Sequence, residues 1–178
     1  TVLKTLKSKD SGHPQRQVHL MTADGQSAGF TGSECIDWAG HKTAENISVA
    51  GNMLAGERVL EDMLSCYLDT KSVPFAERLL LAMEAGEAAG GDKRGRQSAS
   101  LTIHRGEAFP WLDLRCDDDA EPLIEIRRLL DVAGERYIHF TEMMGSSANF
   151  SGHADRSRIE ALIKAGEEAR EAENKPSA

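Results

Sequence analysis

Apolar positions Val2, Leu3 and Leu6 recur at helical spacing, with Thr1 placed to cap them, so Thr1 to Lys9 is expected to form a short helix that Ser11-Gly12-His13-Pro14 stops. The period then falls to two. Gln17, Val18, His19 and Leu20 alternate, Ala23-Asp24-Gly25-Gln26 supplies a turn, and Ser27 to Thr31 returns, which together predict a β-hairpin. Ile47 to Ala50 reads as a further strand running into Gly51-Asn52, where a glycine lets the backbone pass close to another group. Helical periodicity resumes over Glu57 to Leu68 and Pro74 to Ala89. In the second of these, Phe75, Leu79, Leu80 and Met83 are expected to make one apolar stripe, with Glu77, Arg78 and Glu84 facing away. Ser98 to His104 alternates again and Trp111 to Arg115 is its expected neighbour. A helix over Glu121 to Val132, opened by Pro122, a Ser, Asn and Gly loop over Gly145 to His153, and a charged helix over Arg156 to Glu173 complete the pattern, with Asn174 to Ala178 frayed.

Two helices between two sets of strands indicate an α+β domain, placed at residues 1–140, followed by a loop and charged helix over 141–178. At 178 residues and 40% hydrophobic composition the chain can bury a real core. Twenty-one Lys plus Arg against 29 Asp plus Glu give a net charge of -8, which repels phosphate backbones and anionic lipid, and 5% aromatic residues leave few stacking platforms. Neither a nucleic-acid nor a membrane partner is expected. Cys35, Cys66 and Cys116 are odd in number and widely spaced, so no disulfide framework or structural zinc site is indicated, and a reducing, cytoplasmic setting fits. The charged helix from Arg156 reads equally as a solvated surface helix or as a homo-oligomer contact.

Chemistry concentrates in three places. Gly90-Gly91-Asp92-Lys93-Arg94-Gly95-Arg96-Gln97-Ser98 sets glycines, cations and hydrogen-bonding groups between a helix end and a strand start. Glycines there let main-chain amides approach a ligand, and Arg94 can fork onto a carboxylate or ureido oxygen while Asp92 holds it. A helix C-cap with a solvated turn is the alternative, and Asp92 stands where a Walker loop needs glycine. Thr31 to His41 gathers hydroxyl, carboxylate, thiol and imidazole groups; Cys35 is expected to pack in the core, while His41 and Asn52, each beside a glycine at a segment end, are candidate polar groups beside a site. Asp117, Asp118 and Asp119 fail the calcium-loop spacing and suit a helix N-terminus, and the six histidines show no zinc spacing, so no metal or cofactor is expected. Thr1 could in principle act as a nucleophile with its own amine as base, but it opens a helix-like segment rather than a strand and is read as a fragment boundary.

Phe30 to His41, then Val49-Ala50-Gly51-Asn52-Met53-Leu54-Ala55-Gly56, then Ala85 to Ala99 with its glycine-rich core, then Asp113 to Asp118 with Glu125 to Leu130, follow one another as they do in the bacterial and archaeal family known as domain of unknown function 1028. The chain resembles that family over roughly Arg16 to Leu130, by motif order and spacing. The resemblance implies an Ntn-hydrolase-like fold, a four-layer αββα sandwich, here N-terminally incomplete and with an extra C-terminal helix. The resemblance leaves the substrate unspecified, and the leading expectation is hydrolysis of a small amide, ureide or lactam by a nucleophile outside this chain. In that reading Asp92, Arg94, Gln97 and Ser98 orient the substrate beside His41, and Asn52 or an amide near Gly51 supports the oxyanion. The competing expectation is a non-catalytic module that uses the same fold to bind a small ligand or a protein.

Overall fold

The computed structural model describes residues 2–137 and 156–173. Its contacts gather the chain into two units, Thr1–Gln97 and Ser98–Ala178, a division at the start of a strand where the sequence pattern placed none. The boundary expected at 140, the loop over 145–153 and the tail over 174–178 lie outside the described residues.

In the first unit, α1 (Val2–Lys9) leads through a short 3-10 turn at His13–Gln15 into β1 (Gln17–Met21) and β2 (Ser27–Thr31), an antiparallel hairpin. Its register fixes what each face carries. Gln17 lies opposite Thr31, His19 opposite Gly29 and Met21 opposite Ser27, while Val18 opposite Phe30 and Leu20 opposite Ala28 take the other side. That second side meets α1, where Leu3 and Leu6 join Val18 and Phe30 around a small apolar cleft and the Lys7 ammonium sits 4.2 Å from the Phe30 ring centre.

A second hairpin follows, β3 (Gly40–Ala44) and β4 (Ile47–Gly51), turning at Asn46, whose φ of 60° suits asparagine. The sequence pattern anticipates β4 but not β3, because Gly40, Lys42 and Thr43 offer no apolar alternation. Pairing with β4 supplies what propensity does not, and the Lys42 ammonium is held by Glu57 at 2.9 Å and Glu61 at 3.2 Å. Ala44, Ile47 and Val49 share the face that packs on α2 (Arg58–Asp69) and α3 (Phe75–Ala88), forming a core of Ile47, Val49, Leu60, Tyr67 and Ala82 with Trp38, Met63 and Leu79 against it.

The stripe on α3 differs from expectation. Phe75 and Met83 are 52% and 46% exposed, whereas Leu80, Ala82 and Gly86 are buried. Small residues win this face because the helices approach closely: a Cβ on Gly86 would lie 2.5 Å from Met63 Cγ. Arg78 does not face away either, since its Nε donates to Tyr67 O at 2.6 Å and its guanidinium lies 3.5 Å from the Tyr67 ring centre.

In the second unit, β5 (Ala99–Ile103) and β6 (Leu112–Cys116) pair antiparallel and α4 (Pro122–Val132) packs on both, burying Leu101, Ile103, Leu112, Cys116 and Ile126. Asp119 accepts a hydrogen bond from the Glu121 amide at 2.7 Å just ahead of α4, so it serves the helix start as the sequence suggests. The last helix, α5 (Arg156–Glu173), leaves Ile163 exposed and carries a Lys164–Glu168 pair. The elements are thus mixed helix and strand, as expected, and among the described residues no helix is long and apolar enough to cross a membrane.

Candidate functional site

The two hairpins of the first unit meet through their polar faces. Gln17, His19, Ser27 and Thr31 come from the first; His41 and Ser48, which the register puts on the side of β3–β4 away from the helices, come from the second. Gln17 is the hub. Its Nε2 donates toward Thr31 Oγ1 at 3.1 Å, Gly40 O at 2.9 Å and Gly51 O at 2.9 Å, and the two carbonyls fix which end of the carboxamide is nitrogen. Thr31 Oγ1 in turn lies 2.8 Å from His41 Nδ1. Further along, His19 Nδ1 meets Ser48 Oγ, Ser27 Oγ donates to Ala44 O and Ile47 O, and the Asn46 amide donates to Gly25 O at 3.1 Å.

The His19 and His41 rings sit edge to face, 5.8 Å between centres. Gly29 makes room for this, because a Cβ there would overlap the His41 ring. Burial, and then the neighbouring His41, push the His19 imidazole below its ordinary value, and its Nε2 is buried with no hydrogen-bond partner among the described residues. Such a seam is expensive to build. Apolar residues would bury at a gain, whereas each polar group here must be matched or costs about 1–3 kcal/mol, so a seam of this composition is a candidate for function rather than for stability.

At one end the seam opens on an open-sided cavity of about 420 Å³ lined by Gln15, Gln17, Glu34, Cys35, Ile36 and Asn52. The loop after β2 is folded back to form it: Glu34 N donates to Pro14 O at 2.8 Å, Gly32 N to Arg16 O at 2.8 Å and Met53 N to Ile36 O at 3.1 Å. Gln15 Nε2 donates to Glu34 Oε2 at 3.2 Å. Cys35 is half-buried at this wall instead of packing in the core, and its thiol donates to Arg16 O at 3.5 Å.

The residues picked from the sequence separate into two groups. His41 lies in the seam and Asn52 lines the cavity, and both adjoin the Gly40–Gly51 pair that Gln17 grips. Asp92 reaches the same neighbourhood through backbone, since it bridges to Leu54 and Lys93 N donates to Met53 O at 2.8 Å. Its side chain is otherwise engaged. Both carboxylate oxygens take Arg94 guanidinium hydrogens, at 3.0 and 2.6 Å, and that guanidinium, followed by the Arg94 amide, holds the Asp92 carboxyl below its usual range. Arg94 is 66% exposed, Gln97 is exposed, and none of Asp92, Arg94 or Gln97 lines the cavity. Ser98 is exposed and begins the second unit.

Sequence reasoning did not single out Gln15, Gln17, His19 or Ser48, and took in Thr31 and Glu34 only as members of the polar segment Thr31 to His41. A signal existed: Gln17 and His19 on one strand, and Ser27, Gly29 and Thr31 on the next, put polar or small side chains on one face of a hairpin, with Met21 at its end the exception. Among the described residues no group of three or more His, Cys, Asp or Glu is placed to hold a metal ion.

No curated protein matches the chain. Among solved structures, the crystal structure of protein SPO2555 from Silicibacter pomeroyi, of family model DUF1028, is similar with a TM-score of 0.75 and 29% identity over 86% of this chain. This chain spans 66% of that protein's length. The family model described as "Family of unknown function (DUF1028)" matches residues 1–126, through both hairpins, the cavity and the glycine-rich loop. The chain belongs to the DUF1028 family.

Proposed function

We propose that this chain supplies the substrate pocket of an Ntn-type hydrolase acting on a small amide, ureide or lactam, in a reducing, cytoplasmic setting. The observation that carries the reading is the polar seam: Gln17, Thr31 and His41 form a hydrogen-bonded row between two hairpins, and Gln17 brings that row to the wall of an open cavity. The layering of the first unit supports it too, with α1 outside the first hairpin, the hairpins face to face, and α2 and α3 outside the second. Three carboxamides at the cavity, Gln15, Gln17 and Asn52, suit a ligand that both donates and accepts hydrogen bonds, as an amide does.

The nucleophile is assigned to no residue described here. None of the three seam hydroxyls, Ser27, Thr31 and Ser48, lines the cavity, and the Cys35 thiol is committed to a main-chain carbonyl instead of a base. That observation favours a second reading, a small-ligand binding module on the same fold. In the hydrolase reading Asn52 steadies the developing oxyanion from the cavity wall, and His41, held through Thr31, positions the seam.

Incubation of the protein expressed from its complete reading frame with a panel of small amides, ureides and lactams, followed by ammonia release and by mass spectrometry of the acid formed, separates the two. The hydrolase reading predicts turnover that Asn52→Ala lowers by about 100-fold in kcat, the loss typical of one oxyanion donor. Saturable binding with no turnover across the panel would replace it with the binding module.

A further inference from the structure

We infer that the cavity beside Asn52 selects ligands carrying a protonated amine together with an amide, with Glu34 as the charge-pairing group and Asn52 as the amide contact. The inference rests on the same pocket as the proposed hydrolase and names the substrate class. Glu34 is the one ionic side chain among the six lining residues. It is held in place from two directions, by its own amide on Pro14 O and by the Gln15 carboxamide on Oε2, yet no cation pairs with it among the described residues.

The cations that could have neutralised it are committed elsewhere. Arg16, next to Gln15 and joined by its carbonyl to the Cys35 thiol, turns its guanidinium onto Asp10 at 3.2 Å. Lys93, whose backbone reaches Met53, donates its ammonium to Asp37 O at 3.1 Å. The cavity therefore carries one uncompensated negative charge, which favours a ligand cation and opposes a ligand carboxylate.

The other half of the assignment comes from Asn52. Its carboxamide has no hydrogen-bond partner among the described residues and stands exposed at the wall, so both its donors and its acceptor are open to a ligand amide. Gln17 differs, because its nitrogen is taken up by three acceptors. A volume of about 420 Å³ lies within the range of small-molecule pockets, and Ile36 lends one apolar wall to a short methylene spacer.

Three probes of similar size separate the contributions: β-alaninamide, which carries an ammonium; butanamide, its neutral isostere; and succinamate, which carries a carboxylate. Each is titrated into the ¹⁵N-labelled full chain near neutral pH and followed by backbone and side-chain amide shifts. The expected order is β-alaninamide about 10-fold tighter than butanamide, as one favourable charged contact at a partly exposed site provides, with succinamate weakest and the shifts centred on Gln15, Glu34 and Asn52. Glu34→Gln should abolish the preference of the ammonium probe over butanamide, and Asn52→Ala should weaken both amides alike. Equal affinity for the ammonium and neutral probes, a preference for succinamate, or a preference that survives Glu34→Gln would overturn the inference. Because binding is read without turnover, an ordered preference alongside no turnover by the protein from the complete reading frame retains this assignment and loses only the hydrolase reading.

Discussion

Replacing Gln17 with Leu removes a side chain that ties the first hairpin to both strands of the second, and its consequence can be worked out from the contacts. The carboxamide nitrogen has two hydrogens shared among Thr31 Oγ1, Gly40 O and Gly51 O, so two hydrogen bonds' worth of interaction disappears and three acceptors are left to find other partners. An acceptor stranded in a dry interior costs about 1–3 kcal/mol. Gln17 also lines the cavity, so water can reach part of what it leaves behind, and Leu recovers some apolar burial. The balance is a loss of about 2 kcal/mol, less than stranding all three acceptors in a dry interior would cost. With a urea slope of about 2 kcal/mol per molar, that moves the midpoint down by about 1 M. Trp38 packs against the core of the first unit and reports its unfolding directly, in a Trp111→Phe background that silences the second unit's indole. A midpoint unchanged or raised by Gln17→Leu would show that the carboxamide ties contribute nothing and would remove the physical argument that the seam is maintained at a cost.

Other consequences are equally open to measurement. His19 titrates below its ordinary 6.5 when folded, so the unfolded chain binds the extra proton first as pH falls; its contribution is complete above 6.5 and is lost below it, and His19→Gln should flatten the fall in Tm between about pH 7.5 and 5.5. Gly29→Ala should destabilise by about 1–3 kcal/mol through overlap with the His41 ring, and in a double-mutant cycle His41→Ala should relieve most of that loss. Leu60→Ala, at a side chain with 0% exposure in the first core, should cost about 3 kcal/mol in urea denaturation. Arg94→Ala should leave the urea midpoint unchanged, because solvent screens an ion pair whose guanidinium is 66% exposed.

What could be read from the sequence follows from where local pattern decides structure. The first hairpin, α2 and α4 are periodic over their whole length and the structure has them close to the expected bounds. β3 is not, because Lys42 and Thr43 take their conformation from pairing with β4, and Lys42 is held besides by Glu57 and Glu61 at the start of the next helix. On α3, counting apolar residues selects Phe75 and Met83, whereas close helix packing selects Ala82 and Gly86, a tertiary preference invisible to periodicity. The site divides in the same way. Asn52 and His41 are visible beside their glycines, while Gln17, His19 and Thr31 become a site only once the polar face of one hairpin is laid on the polar face of another. Glu34 needs the fold as well, since only the return of its loop onto Pro14 and Gln15 puts its carboxylate at the cavity. The glycine-rich loop shows the reverse: its chemistry is conspicuous in sequence, but Asp92 and Arg94 spend it on each other.

A crystal structure of the chain grown with saturating β-alaninamide tests the central claim most directly. The account predicts the bound molecule in the cavity between Glu34 and Asn52, its ammonium within hydrogen-bond reach of the Glu34 carboxylate and its amide on the Asn52 side chain. Density for the ligand at the Asp92–Arg94 loop, with that cavity holding only water, would contradict it.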